Sequence, residues 1–263
     1  LLEQLSELCA PVLYERFVGS MKADVKQAQS PEAQPDAGVS RYERFIAEMR
    51  EAGFQRLIEE KPVLLRLIAT ITRQWIDTTG EFLLRLDADL PAIRREILRS
   101  TDDGRVANIE GGLSDPHNCG RSVLVVAFDD GRRVLYKPKD VRLDASWHAL
   151  IERQNRVDPP VDLKAVLTLS RDGYGWTEFI EPTECADRAG FARFFRRAGA
   201  WLALFHVFAG TDMHEENMIA AGDQPVPIDL EMILQASTPE HQSDTPETQA
   251  FHLASTKVAE SVI

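Results

Sequence analysis

At 263 residues, with 44% hydrophobic and 27% charged residues, the chain has the composition of a soluble globular protein of one or two domains. A net charge of −12 argues against nucleic acid or an anionic membrane as partner and leaves a mildly basic peptide electrostatically compatible. The longest apolar run, residues 198–210, contains His206 and is too short to span a bilayer. No signal peptide is evident, and three cysteines (Cys9, Cys119, Cys185) share no metal-ligand spacing, which together point to a reducing cytoplasm.

Residues 1–18, 42–60, 62–78 and 81–99 carry apolar side chains at helical intervals. Residues 30–40 (SPEAQPDAGVS) read as a linker that breaks the helices, and Pro62 and Pro91 suit first-turn positions. Residues 1–105 are thus expected to form an all-helical region for scaffolding or peptide docking, with no chemistry of its own. No internal repeat is evident.

A polar, Gly-containing turn follows, Ser114-Asp115-Pro116-His117-Asn118-Cys119-Gly120-Arg121. It leads into an apolar strand over 122–128, an Asp129-Asp130-Gly131 hairpin turn, and a return strand over 132–139 that carries Lys137. In kinases a loop covers the ATP phosphates and a strand Lys pairs with them. Pro138 would end the pairing and leave Lys137 at the mouth of a cleft, although a Lys facing solvent from an edge strand is the ordinary alternative. Residues 144–153 read as a helix. In a kinase-like order this helix would bring an acid to the Lys, and Glu152 is the acid in its second half. A second hairpin, 164–170 and 174–180 around Arg171-Asp172-Gly173, would lead to a hinge near 178–181 that takes adenine through backbone groups.

The last third holds the most informative stretch. Residues 193–208 form an apolar helix that Ala209-Gly210 ends. Then come Asp212, His214 and Asn217 in one loop, and short strands over 218–221 and 225–230 around Gly222-Asp223-Gln224. The hairpin would return Asp229 beside the loop. An Asp, an Asn five positions on, and a second Asp 12 residues further are the arrangement that kinase-type phosphoryl transfer needs. One carboxylate faces the attacking hydroxyl, while the Asn oxygen and the second carboxylate hold Mg²⁺, a hard cation that prefers oxygen ligands. Asp-x-x-x-x-Asn alone is common in ordinary loops, and a zinc reading on His206, His214 and Asp212 lacks a tetrahedral set. Residues 235–249, polar and helix-poor, occupy the position of a kinase activation segment.

Taken in order, S-D-P-H-N-C-G-R-S-V (114–123), Y-K-P-K (136–139), D-G-Y-G-W-T-E-F-I (172–180), R-R-A-G-A-W-L-A-L (196–204), G-T-D-M-H-E-E-N (210–217) and P-I-D-L-E (227–231) resemble the dehydratase domain of class II lanthipeptide synthetases. Family members usually carry Gly where this chain has Ser114 and Cys119. That domain is itself similar to lipid kinases.

The resemblance implies ATP/Mg²⁺-dependent phosphorylation of Ser and Thr in a ribosomal precursor peptide (leader plus Ser/Thr/Cys-rich core), followed by phosphate elimination to dehydroalanine or dehydrobutyrine. Phosphate is a good leaving group where hydroxide is a poor one, so elimination needs only a base and cations for the departing group. By resemblance Lys137 contacts ATP phosphates and Asp212 orients or deprotonates the peptide hydroxyl. His214 stabilises transferred charge or shapes the loop. Asn217 and Asp229 bind Mg²⁺, with Glu231 a further ligand or supporting acid. Asp115, His117 and Arg121 form the phosphate-side loop, with Arg121 a bidentate phosphate ligand.

The expected fold is α+β: a helical region (1–105), then a lipid-kinase-like fold of two lobes, the N-lobe over 106–181 and a truncated C-lobe over 182–263. Because the chain opens without Met and stops inside an expected helix, a fragment is expected, with the elimination residues and the zinc cyclase domain outside it. A stand-alone phosphotransferase acting on a lipid, small molecule or protein, and a non-catalytic binding module, are the alternatives.

Overall fold

Ser40 starts the first helix after the expected linker. Its hydroxyl accepts from the Glu43 amide, and the Glu43 carboxylate accepts from the Ser40 amide, a complete capping box. The computed structural model describes residues 1–28, 40–100, 104–114, 117–234, 245–247, 250 and 253–254, so most of the linker lies outside the described residues. Two compact units result: residues 1–87 with 117–121, and residues 88–116 with 122–263. The fold class is α+β.

The first unit is helical: α1 (Leu2–Ala28), α2 (Arg41–Glu48), α3 (Phe54–Glu60) and the larger part of α4 (Pro62–Ala92). Cys9, Phe45, Met49, Leu57 and Leu64 form its core, and the Phe17 and Phe45 rings meet edge-on at 5.2 Å. Pro62 takes the first helical position, where its missing N–H costs nothing. Two expectations fail here. The helix expected to break before Glu81 runs unbroken, because a single Gly inside a helix costs only about 1 kcal/mol and the Thr78 hydroxyl is satisfied within the helix by the Gln74 carbonyl. Pro91 lies inside the last turn of α4 and not in a first turn. Past it the backbone widens into a π-turn (Ile93–Ile97), closed by Leu98 N to Ile93 O at 3.0 Å, which absorbs the hydrogen bond that proline cannot donate.

The second unit is built on a five-stranded antiparallel sheet in the order β1-β2-β3-β5-β4. Its strands are β1 (Val106–Glu110), β2 (Leu124–Phe128), β3 (Arg133–Lys137), β4 (Thr168–Arg171) and β5 (Tyr174–Glu178). Both expected hairpins form, and Gly131 turns the first with a φ of 85°. Strand β3 is central, so Lys137 does not face solvent from an edge; it pairs across from Gly175 of β5. Helix α5 (Arg142–Asn155) follows β3, and α6 (Arg188–Val207) precedes a two-stranded sheet of β6 (Met218–Ala221) and β7 (Gln224–Pro227).

A separate aromatic core joins the helices of this unit. Trp147 and Ile151, one turn apart on α5, meet Trp201 and Phe205, one turn apart on α6, together with Leu163, Leu230 and Ile233. The Trp147 and Phe205 rings stack at 6.0 Å, and Trp201 donates its indole N–H to the Pro225 carbonyl at 2.8 Å, tying α6 to β7. Arg197, buried one turn before Trp201, pairs with Asp162 at 2.7 Å and Asp223 at 2.9 Å. At the end of α6 the Gly210 amide reaches back to Phe205 O at 2.7 Å in a Schellman closure. The left-handed residue there is Ala209, with a φ of 48°. Gly210 serves a different need, since a Cβ on it would lie 3.2 Å from the Phe205 side chain.

Candidate functional site

Strand β3 aims Lys137 into the interior of the second unit, leaving the residue 7% exposed. Its ammonium donates to Asp144 Oδ1 at 3.2 Å and to the Ile228 carbonyl at 2.7 Å. The helix after β3 therefore does supply an acid to the lysine, but from its first turn and not from Glu152. Glu152 is exposed and pairs with Arg156 on the helix surface at 3.6 Å. An acid in a first turn also complements the helix dipole. The backbone makes this approach possible: Val141, fully buried, packs where a side chain on Gly175 would stand, with its Cγ2 2.1 Å from the position of that missing Cβ.

Two residues past Lys137, Lys139 reaches the same segment. Its Nζ lies 3.1 and 3.3 Å from the two Asp229 oxygens and 2.7 Å from Glu231 Oε2. Burial acts to lower the pKa of Lys139, but the Glu231 hydrogen bond and the Asp229 charge outweigh it and hold the pKa above the ordinary lysine value. Sequence reasoning gave Lys139 no role. The signal available was its same-face spacing from Lys137.

Asp212, His214 and Asn217 form one loop. Asp212 has a φ of 65°, a left-handed conformation that Asp tolerates better than most residues. Asn217 Nδ2 donates to the Asp212 carbonyl at 2.8 Å and lies 3.5 Å from its carboxylate, which leaves the amide oxygen as the atom to accept or ligate. His214 Nδ1 accepts from the Glu216 amide at 3.2 Å, and Nε2 lies 3.5 Å from Asp212 Oδ1 and 3.4 Å from Asn217 Nδ2. The His214 and Asp212 side chains are both exposed. The β6–β7 hairpin returns the chain, and Ile228 N donates to Asn217 O at 3.0 Å. Ile228 is thus bonded to the loop through its amide and to Lys137 through its carbonyl.

The remaining expected residues fall elsewhere. Asp115 lies outside the described residues, as does most of 235–249. His117 and Arg121 belong to the helical unit, where their backbones pair in both directions at 2.8 Å across Asn118, Cys119 and Gly120, all at positive φ. Arg121 already holds Glu81, at 2.7 and 2.9 Å, and the Asn118 carbonyl. Near the expected hinge, Glu178 accepts from Lys164 at 3.0 Å and from the Leu167 amide at 2.9 Å.

Beneath the β4–β5 hairpin, Asp89 is buried and accepts from Arg171 Nε at 2.7 Å and from Tyr174 and Trp176, both at 2.9 Å. Burial pushes its pKa upward, yet the three hydrogen bonds and the Arg171 charge bring it below the ordinary Asp value. A small cleft behind Asp144 is lined by Trp147, His148, Thr168 and Leu230 among others, and Trp147 Nε1 and His148 Nδ1 have no hydrogen-bond partner among the described residues. Among those residues no group of three or more His, Cys, Asp or Glu is placed to hold a metal, and no helix is long and apolar enough to cross a membrane.

Residues 62–263, all of the second unit and the last part of the first, match the family described as Domain of unknown function (DUF4135). The chain belongs to that DUF4135 family. Over 202 residues it is 23% identical to the lacticin 481/lactococcin biosynthesis protein LcnDR2 of Lactococcus lactis subsp. lactis. The match covers 73% of this chain and 21% of that relative, so the chain spans about a fifth of the relative's length. The matched family region contains every candidate residue from His117 to Glu231.

Proposed function

We propose that the chain carries the phosphorylating site of a lanthipeptide dehydratase of lipid-kinase-like fold. The reading is ATP- and Mg²⁺-dependent transfer of phosphate to Ser and Thr of a ribosomal precursor peptide, then elimination to dehydroalanine or dehydrobutyrine. The observation that supports it is the double tether of Ile228, the residue before Asp229, to Lys137 through its carbonyl and to Asn217 through its amide. Similarity to a lacticin 481/lactococcin biosynthesis protein supports the peptide as substrate.

In this reading the N-lobe spans 106–181 and the C-lobe starts at 182. Asp212, exposed and steadied by His214 and Asn217, accepts the proton of the peptide hydroxyl or orients it. Lys137, with two N–H groups committed to Asp144 and Ile228, keeps its third for a phosphate oxygen. Asp229, Glu231 and the Asn217 oxygen are hard oxygen donors, and a lysine ammonium already sits between the two carboxylates as a stand-in cation. That set fits Mg²⁺, which takes one or two carboxylates and fills its shell with phosphate and water. When bound, the ion would neutralise charge on the transferred phosphate. The phosphate-side role of Asp115, His117 and Arg121 rests on the resemblance alone, since His117 and Arg121 belong to the helical unit and Arg121 is engaged by Glu81.

The test is transfer of label from γ-labelled ATP to the precursor peptide. Label on peptide Ser or Thr, lost when Asp212 is changed to Asn, supports the reading. Label on a lipid or small molecule with none on the peptide would replace it by a stand-alone phosphotransferase.

A further inference from the structure

Lys137 and Lys139 lie two residues apart on one chain direction but are held very differently. The Lys137 side chain is 9% exposed and locked by the half-buried Asp144 and a carbonyl. The Lys139 side chain is 34% exposed, and both its partners are partly open, Asp229 at 34% and Glu231 at 61%. Pro138 between them ends the ladder of β3, so Lys139 is free of the sheet's hydrogen bonding. Its ammonium bridges two carboxylates that belong to different residues of a single short segment. Two carboxylates and one ammonium sum to a single negative charge. A divalent cation between the same carboxylates would neutralise them and leave the ammonium surplus.

We propose that Lys139 is a built-in counter-cation for Asp229 and Glu231: a divalent cation must displace it, and the displaced ammonium then takes a phosphate oxygen of the nucleotide. The inference rests on the phosphoryl-transfer reading of Asp229 and gives that site a further positioning and phosphate-binding residue. The physical reason is geometric. The ammonium occupies the space between the carboxylate oxygens where a small cation would be coordinated, and like charges cannot share it. The four-carbon stem of lysine lets the ammonium swing aside without moving β3.

The experiment reads binding and not turnover. Mn²⁺ is titrated into the nucleotide-free chain, and the loss of the free-ion electron paramagnetic resonance signal is followed for wild type, Lys139→Gln, Lys139→Arg and Asp229→Asn. Removing the competitor in Lys139→Gln should tighten Mn²⁺ binding about tenfold, the scale of one charge withdrawn from a partly exposed site. A merely structural lysine would loosen it. Lys139→Arg keeps the charge and grips carboxylates by two N–H groups, so it should bind Mn²⁺ no more tightly than wild type. Calorimetry of ATP with saturating Mg²⁺ should show weaker ATP binding by Lys139→Gln. Unchanged or weakened Mn²⁺ binding in Lys139→Gln, equal tightening in Lys139→Arg, or undiminished ATP affinity overturns the proposal. If Asp229→Asn loses Mn²⁺ while Lys139→Gln matches wild type, Lys139 alone is misassigned. If neither wild type nor Lys139→Gln binds Mn²⁺ or ATP, the phosphoryl-transfer reading falls with it.

Discussion

The Lys137 ammonium rests 2.7 Å from the carbonyl oxygen of Ile228, the residue that precedes Asp229. One side chain thereby joins the central strand of the sheet to the backbone that presents the acid. The same lysine draws α5 inward through Asp144, so strand, helix and acidic segment meet at one nitrogen.

That ion pair is largely shielded from water, with side chains 9% and 11% exposed. Changing Asp144 to Ala would leave an ammonium without its counter-charge and should cost about 3 kcal/mol of unfolding free energy, within the range for breaking a buried pair. Glu152→Ala, at an exposed pair with Arg156, should cost no more than about 0.5 kcal/mol. Urea denaturation of both variants tests this, and equal losses would return the partner role to Glu152.

Gly175→Ala should destabilise the second unit by about 2 kcal/mol, because its Cβ would stand 2.1 Å from Val141 Cγ2 and 2.8 Å from Leu169 O. Adding Val141→Ala removes the nearer clash and should recover part of the loss relative to the sum of the single variants. Simple additivity in a double-mutant cycle would contradict the contact.

Asp89 links stability to acid pH. Its folded pKa lies below its unfolded value because the Trp176, Arg171 and Tyr174 hydrogen bonds outweigh burial. Its contribution is therefore full above the unfolded pKa of about 3.9 and is lost as pH falls through the folded value. The urea midpoint of wild type should drop across that acid window. Asp89→Asn should be less stable at neutral pH and should show a shallower acid drop; identical pH profiles would rule the linkage out.

At the end of α6, Ala209→Gly should stabilise by about 1 kcal/mol, since Ala bears the cost of a left-handed backbone there. Gly210→Ala should destabilise, because its Cβ would crowd Phe205. Thermal melts of the pair should move in opposite directions.

The hairpins and the helices that precede β1 were legible in the sequence, because turn residues and 3.6-residue spacing act locally. What was not legible depended on tertiary contacts. Strand β1 has four exposed residues and no alternating apolar pattern, so only its pairing with β2 defines it. Asp144 outranks Glu152 because Val141 packs over Gly175 and sets the helix start against β3. Lys139 was visible as a letter, but its bridge to Asp229 and Glu231 exists only once β7 has folded back. Ala209 took the left-handed place expected of glycine, since Gly210 was needed where Phe205 comes close.

The most direct measurement is the mass of the precursor peptide after incubation with ATP, Mg²⁺ and either wild type or Asp229→Ala. The expected result is a gain of phosphate or a loss of water with wild type and neither with Asp229→Ala. An unmodified cognate peptide with wild type, or modification that survives Asp229→Ala, would contradict a peptide phosphoryl-transfer site built on Asp229.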